Sequence, residues 1–210
     1  MTLHPRPKAV VFDLGKVLLQ FDYGIVVRAL AAQGTSTVPQ IAALIDQAPL
    51  LFQYETGLIS THEFFQEVRK STGYRGDLAT FATVFGSIFS EITPMVELNR
   101  DLRLAGIPTY IFSNTNELAI QEIRRNFPFF RNFNDFILSY EERSMKPDAK
   151  IYESVEARTG LRGSDLLYID DRSENIEAGS RRGWQAWLHS DPALTVPEVR
   201  KRTRIGAAMM

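Results

Sequence analysis

Five short apolar runs alternate with helical stretches over most of this chain, and that alternation restricts the possible fold more than any other feature. The runs cover residues 9–12, 109–112, 136–138, 166–169 and 184–188. Each is rich in strand-forming residues and is three to five residues long, the length of a buried strand. Helical segments over 94–104, 118–125, 150–158 and 173–182 separate them. Three of these stop at or just before a glycine (Gly106, Gly160, Gly183), a natural helix terminator. Continuous rather than alternating apolar strands joined by helices predict an α/β fold: a Rossmann-like parallel sheet with helices on both faces.

Residues 19–92 break this pattern. They show no comparable apolar strand, but helical stretches over 23–32, 38–46, 61–71 and 78–89. Ser60 and Glu63 have the spacing of a capping box, and Pro39 follows Thr37 and Val38 as a helix start signal. The expected organisation is a catalytic core made of residues 1–18 and 93–210, with 19–92 inserted as an α-helical cap.

Ligands of open parallel sheets bind beyond the carboxyl ends of the strands. The residues just past those ends are Asp13, Leu14 and Gly15, then Ser113 and Asn114, then Asp170 and Asp171, with Lys146 in a loop before Pro147. Carboxylates, a hydroxyl and an ammonium in one crevice suit a phosphate dianion and a divalent cation. A carboxylate can attack phosphorus to give an acyl phosphate. Mg²⁺ prefers oxygen ligands, which Asp13, Asp171 and a carbonyl near Gly15 offer. Ser113 can donate to a phosphate oxygen, and Lys146 can offset charge on nucleophile and phosphoryl group. Free N–H groups at the strand-to-loop turns, those of Leu14, Gly15 and Asn114, add donors. The bland alternatives are strand-end caps and turn formers.

Four segments carry a closer likeness: VVFDLGKVLL at 10–19, YIFSNTNE at 110–117, SMKPDAKIY at 144–152 and LLYIDDRSENIEAG at 166–179. In type, order and element they resemble the four motifs of the haloacid dehalogenase-like hydrolase superfamily. YETGLISTHEF at 54–64 is similar to the caps of its sugar-phosphate phosphatase-like members. The resemblance implies a Mg²⁺-dependent phosphatase of small phosphorylated metabolites, sugar phosphates among them, working through an aspartyl-phosphate. It implies Asp13 as nucleophile, Asp171 as metal ligand, Ser113 as phosphate-holding residue and Lys146 as the residue that orients the nucleophile. Asn175 falls where many relatives carry a second acidic residue, which gives it a weaker ligand role or a place behind the ligands. Asp170 is either a further ligand or structural.

One departure matters. Phosphatases of this superfamily mostly carry an aspartate two residues after the nucleophile as general acid and base; here that position is Gly15. Losing such help, typically worth ~10²–10⁴-fold, weighs most on poor leaving groups. Sugar 1-phosphates or acyl phosphates are therefore expected ahead of alkyl phosphates. Asp22 is a possible substitute acid or, alternatively, a helix cap. The other readings are less specific. Asp148 reads as an N-cap and His62 as a surface residue. Phe81, Phe85 and Phe89 read as packing, while Phe52, Tyr54 and Phe64 are candidates to line the substrate side of the cap. Two other functions compete: a metal-independent 2-haloacid dehalogenase, and a non-catalytic phosphate-binding or interaction protein.

Composition narrows the rest. With 210 residues, 44% hydrophobic and 23% charged, the chain has the make-up of a soluble globular protein. A formal net charge of −1 gives no steering toward nucleic acid or an anionic membrane. The basic run Arg200, Lys201, Arg202 and Arg204 reads as a solvated tail. The absence of cysteine excludes thiolate chemistry and fits a cytoplasmic protein. Asp13 and Lys16 interrupt the first apolar run too early for a signal peptide, and no run is long enough to span a membrane.

Overall fold

The computed structural model describes residues 5–45 and 49–206. The elements follow in the order β1 Ala9–Phe12, β2 Leu19–Phe21, α1 Tyr23–Gln33, α2 Val38–Ile45, α3 Pro49–Glu55, α4 Thr61–Thr72, α5 Leu78–Gly86 and β3 Phe89–Glu91. Then come α6 Thr93–Leu104, β4 Thr109–Ser113, α7 Glu117–Asn126, β5 Asp135–Leu138, α8 Ser139–Glu142, α9 Ala149–Thr159, β6 Leu166–Asp170, α10 Ser173–Arg181, β7 Gln185–Leu188 and α11 Pro192–Thr203.

Five strands form one sheet in the order β5-β4-β1-β6-β7, every neighbouring pair parallel. All four residues of β1 are buried, as its central place requires. Successive side chains of a strand point to opposite faces, so β1 divides its apolar residues between two cores. Val10 and Phe12 join Ile111, Leu167 and Ile169 on one face. Ala9 and Val11 join Phe112, Leu166, Tyr168 and the helix residues Ile151, Tyr152 and Val155 on the other. Each fully buried side chain of this size contributes roughly 1.5–3 kcal/mol. A one-residue slip of β1 would exchange its two faces, which pins the register.

Residues 19–92 are not purely helical. Leu19–Phe21 and Phe89–Glu91 pair antiparallel where the chain leaves β1 and where it returns, with Phe21 opposite Phe89. Three-residue strands are too short to show a period. The spacing of Phe89 from Phe81 and Phe85 predicts that the helix runs on to it. That helix instead ends at Gly86, where an added Cβ would lie 2.6 Å from the Glu122 carboxylate. The expected end of the second helix at Asp46 lies outside the described residues. Three helices were not foreseen: α3, the four-residue α8 and α11. α3 has only seven residues. α11 starts at Pro192, with Asp191 Oδ1 accepting from the Ala193 N–H at 2.7 Å. It corrects the reading of the basic run as a tail. Val199 and Thr195 are buried, and Arg200 bonds Asp101 at 2.6 Å. No helix among the described residues is long and apolar enough to cross a membrane.

The α3–α4 connection is tied down onto the start of α7 and onto α8. The Tyr54 hydroxyl accepts from the Leu118 N–H at 3.0 Å and bonds Thr61 Oγ1 at 2.7 Å. Gly57 has φ +65°, and a Cβ there would lie 2.2 Å from the Tyr140 carbonyl oxygen, so the backbones meet at a distance only glycine allows.

Candidate active site

Asp13 follows β1 directly. Its N–H continues the ladder to the Ile169 carbonyl at 2.9 Å, which fixes the carboxylate at the carboxyl edge of the sheet. Asp13 Oδ1 accepts from the Leu14 N–H at 2.7 Å and lies 3.0 Å from Lys146 Nζ. No hydrogen bond is made to Oδ2 among the described residues. One carboxylate oxygen is thus held and the other left available.

Lys146 is buried, and its ammonium uses all three donors: Asp13, Asp170 Oδ2 at 2.6 Å and the Phe112 carbonyl at 2.9 Å. It also sits 5.0 Å from the centre of the Phe112 ring. Asn114 clamps its main chain twice, Oδ1 accepting from the Lys146 N–H at 2.8 Å and Nδ2 donating to its carbonyl at 3.0 Å. The Asn114 side chain therefore positions Lys146. The Leu14 N–H, committed to Asp13, is not a free phosphate donor either. Ser113 Oγ is buried against the crevice with only a long 3.3 Å bond to the Asn114 carbonyl.

Asp170 is fully buried and its acceptor sites are filled. Oδ2 accepts from Lys146 and from the Tyr168 hydroxyl, at 2.5 Å. Oδ1 accepts from the Arg172 N–H at 2.9 Å and from Asn175 Nδ2 at 3.0 Å. This set makes Asp170 a positioning residue for Lys146 and puts Asn175 behind it. Tyr168 lies two residues before Asp170 on β6, hence on the same face. That spacing was the one sequence signal that could have found it. Asp171 is half-buried and lies 3.9 Å from Lys16 Nζ. Gly15 has a steric reason here. A Cβ would sit 2.9 Å from Phe21 Cε1, so the ring from β2 fills the space a side chain would need.

Electrostatics follow from burial and charge. Burial pushes the Asp13 carboxyl up to about 7; Lys146 counters this, while Asp170 and Asp171 add to it. Burial and Asp170 likewise raise Asp171. Burial works against an ionised Asp170, but Lys146 and the bonds to it outweigh that and hold its carboxyl low. Burial also opposes the Lys146 charge, yet Asp13 and Asp170 hold that group above the usual lysine range. Three carboxylates offer oxygens within 4.8 Å of one another, against one buried ammonium. Two negative charges remain in excess when all are ionised. The donor set is all oxygen, with Asp13 Oδ2 and the Asp171 carboxylate left over, and it fits a hard divalent cation.

Asp13, Lys146 and Asp171 line a cavity of about 400 Å³. Phe52 also lines it. Tyr54 and Phe64 do not; they stack on each other, ring centres 4.4 Å apart, inside the core. Asp22 lies outside the cavity as the N-cap of α1, bonded to the Gly24 N–H at 2.7 Å and paired with Arg28. Asp148 occupies an N-cap position without a side-chain bond, and His62 is exposed. A second residue that sequence reasoning passed over is Glu55, at the end of α3, in the cavity wall. Burial pushes its carboxyl up to about 7, with Arg172 opposing. A folded-state value raised above the unfolded one favours folding at low pH, and that advantage is lost as pH rises through about 7. Glu55→Gln is therefore expected to raise the melting temperature of metal-free protein at pH 8 and not at pH 4. Thermal melts at the two pH values check this.

The family model for a haloacid dehalogenase-like hydrolase matches residues 7–183, most of the chain. The chain belongs to the haloacid dehalogenase-like hydrolases. It is 24% identical over 196 residues to a sesquiterpene phosphatase of Aspergillus oryzae, covering 92% of this chain and 95% of that one. It is 24% identical over 187 residues to a D-ribitol-5-phosphate phosphatase of Bacteroides thetaiotaomicron, covering 86% and 90%. A haloacid dehalogenase family enzyme of Bacteroides thetaiotaomicron, solved with magnesium and inorganic phosphate, shares the fold. Its TM-score is 0.78 at 24% identity, covering 88% of this chain and 94% of that one.

Proposed function

We propose that this haloacid dehalogenase-like hydrolase is a Mg²⁺-dependent phosphatase of small phosphate monoesters. The observation that carries the reading is Asp13, with Oδ1 held by Leu14 and Lys146 and Oδ2 free at the cavity. Oδ2 attacks phosphorus, the ester oxygen leaves, and an aspartyl-phosphate forms; water then attacks that phosphorus and releases Asp13. Ser113 Oγ and the Gly15 N–H donate to the phosphoryl oxygens. Lys146 draws the Asp13 carboxyl back toward its ionised form against the burial that raises it, and offsets charge, its own position fixed by Asp170 and Asn114. The Asp13 and Asp171 carboxylates and the Gly15 carbonyl would hold Mg²⁺, which would supply charge neutralisation for the dianion. The excess of two negative charges favours this over metal-free attack on a haloacid, whose carboxylate the site would repel.

Residues 19–92 act as the cap over this site. They and the β4–α7 region give the cavity apolar walls: Phe21, Tyr23, Leu51, Phe52, Phe89 and Ile123. Sugar hydroxyls find few partners on such walls, so monoesters with an apolar organic part, prenyl or aryl phosphates, rank ahead of sugar phosphates. The two relatives named for phosphatase activity act on one substrate of each kind. A panel of prenyl, aryl and sugar phosphates, assayed with Mg²⁺ and with chelator, tests this. Turnover should vanish on chelation and be fastest for the apolar esters. Asp171→Asn should weaken Mg²⁺ activation by more than the ~10–100-fold typical of a lost outer partner. Chelator-resistant turnover would contradict the reading.

A further inference from the structure

We propose that Glu55 is the proton shuttle of the reaction, donating to the leaving oxygen as a carboxylic acid and accepting from water as a carboxylate. This rests on the phosphatase reading and supplies the acid that Gly15 cannot.

Three carboxylates line the cavity: Asp13, Asp171 and Glu55. The first is the nucleophile and the second faces the cation, which leaves Glu55. Asp170 cannot serve, since both its oxygens already accept two hydrogen bonds. Asp22 is outside the cavity. The Phe21 ring fills the space beside Gly15.

The Glu55 main chain is fixed over the site. Ser139 Oγ donates to its carbonyl at 2.6 Å and also bonds the Thr115 N–H and carbonyl, at 2.9 and 3.0 Å. Thr115 is two residues from Ser113, so α3 is anchored to the loop that holds the phosphate-contacting hydroxyl. Tyr54 and Gly57 fasten the residues on either side. The side chain, by contrast, makes no hydrogen bond or ion pair among the described residues. A structural role would be a salt bridge to Arg172, the nearby cation, but that guanidinium is engaged by Glu174, Nε to Oε1 at 2.7 Å. A carboxyl kept in a cavity wall without a partner costs stability. Burial, which raises this carboxyl to about 7, also brings it to the range where it can both give and take a proton.

The steps balance. In the first, the bond from Asp13 Oδ2 to phosphorus forms, the phosphorus–ester oxygen bond breaks, and the Glu55 proton moves to that oxygen to give the alcohol. In the second, water loses a proton to the Glu55 carboxylate and bonds phosphorus, and the Asp13–phosphorus bond breaks to give inorganic phosphate. With Glu55 present, alkyl phosphates are not the handicapped class that Gly15 alone suggests; they become so when Glu55 is removed.

Rapid mixing of Glu55→Gln with p-nitrophenyl phosphate and with an alkyl phosphate, both with Mg²⁺, tests this. Nitrophenolate leaves without a proton, so the first step survives and the second stalls. The expected record is a stoichiometric burst followed by a steady rate ~10²–10⁴-fold below wild type. The alkyl ester should show no burst and a loss at least as large. Glu55→Asp should recover part of the second step, and both variants should melt no lower than wild type. Unchanged turnover, or an equal loss on both esters with no burst, overturns the assignment. Should wild type itself hydrolyse neither ester with Mg²⁺, the phosphatase reading is what has failed, and this proposal falls with it.

Discussion

Asp13→Asn is expected to lower Mg²⁺-dependent phosphate ester turnover by on the order of 10⁴-fold or more, the scale seen when an attacking group is removed. An amide in this position keeps the shape, and its Oδ1 still accepts from Leu14 and Lys146, but it cannot attack phosphorus. The fold should not suffer. Burial and two neighbouring carboxylates push Asp13 up to about 7, so its charge disfavours folding above that pH. The variant is expected to melt at or above the wild-type temperature at pH 8 without metal. Steady-state rates and thermal melts on the same preparations separate lost chemistry from lost structure. A rate within tenfold of wild type would remove Asp13 from the reaction.

Lys146→Met is expected to cost about 3–5 kcal/mol of stability at neutral pH, besides abolishing activity. Its ammonium is the buried countercharge of both Asp13 and Asp170, at 3.0 and 2.6 Å. Removing one member of a buried ion pair strands its partners in a medium that solvates them poorly. For a domain of this size that corresponds to a melting-temperature drop on the order of 10 °C. The sign with pH is defined. Lys146 is the chief influence holding the Asp170 carboxyl low, so that stabilisation is present above the ordinary aspartate value and is lost as pH falls below it, through the lowered folded value. The deficit of the variant should therefore shrink on acidification. Denaturant melts at pH 7.5 and 4 would show it; equal midpoints for both proteins at pH 7.5 would contradict the pairing.

Much of this architecture was legible because it is written locally. Each strand of the parallel sheet is an unbroken apolar run closed by a polar residue, and the polar residues past those ends fall in one crevice. What was not legible depends on distant residues meeting. Nothing near Asp170 in the chain says that Lys146, 24 residues away, will donate to one of its oxygens. Nothing near Asn114 says that its amide will clamp a lysine 32 residues on. Glu55 lies in the segment 54–64 with no regular period around it to mark it, whereas its aromatic neighbours stand out; one of these, Tyr54, is core. The β2–β3 ribbon and α3 are too short for periodicity to register. α11 was obscured by the charge of its last turn, which reads as solvated although one face is buried by Val199.

The reaction proposed for Asp13 requires a covalent bond between its carboxylate and phosphorus. Rapid acid quench of the Glu55→Gln variant with a labelled aryl phosphate and Mg²⁺, followed by peptide mapping, looks for that bond directly. The predicted result is label, close to one per chain, on the peptide holding Asp13 and absent from Asp13→Asn. Phosphate released with no labelled peptide at any time, or label on another residue, would contradict it.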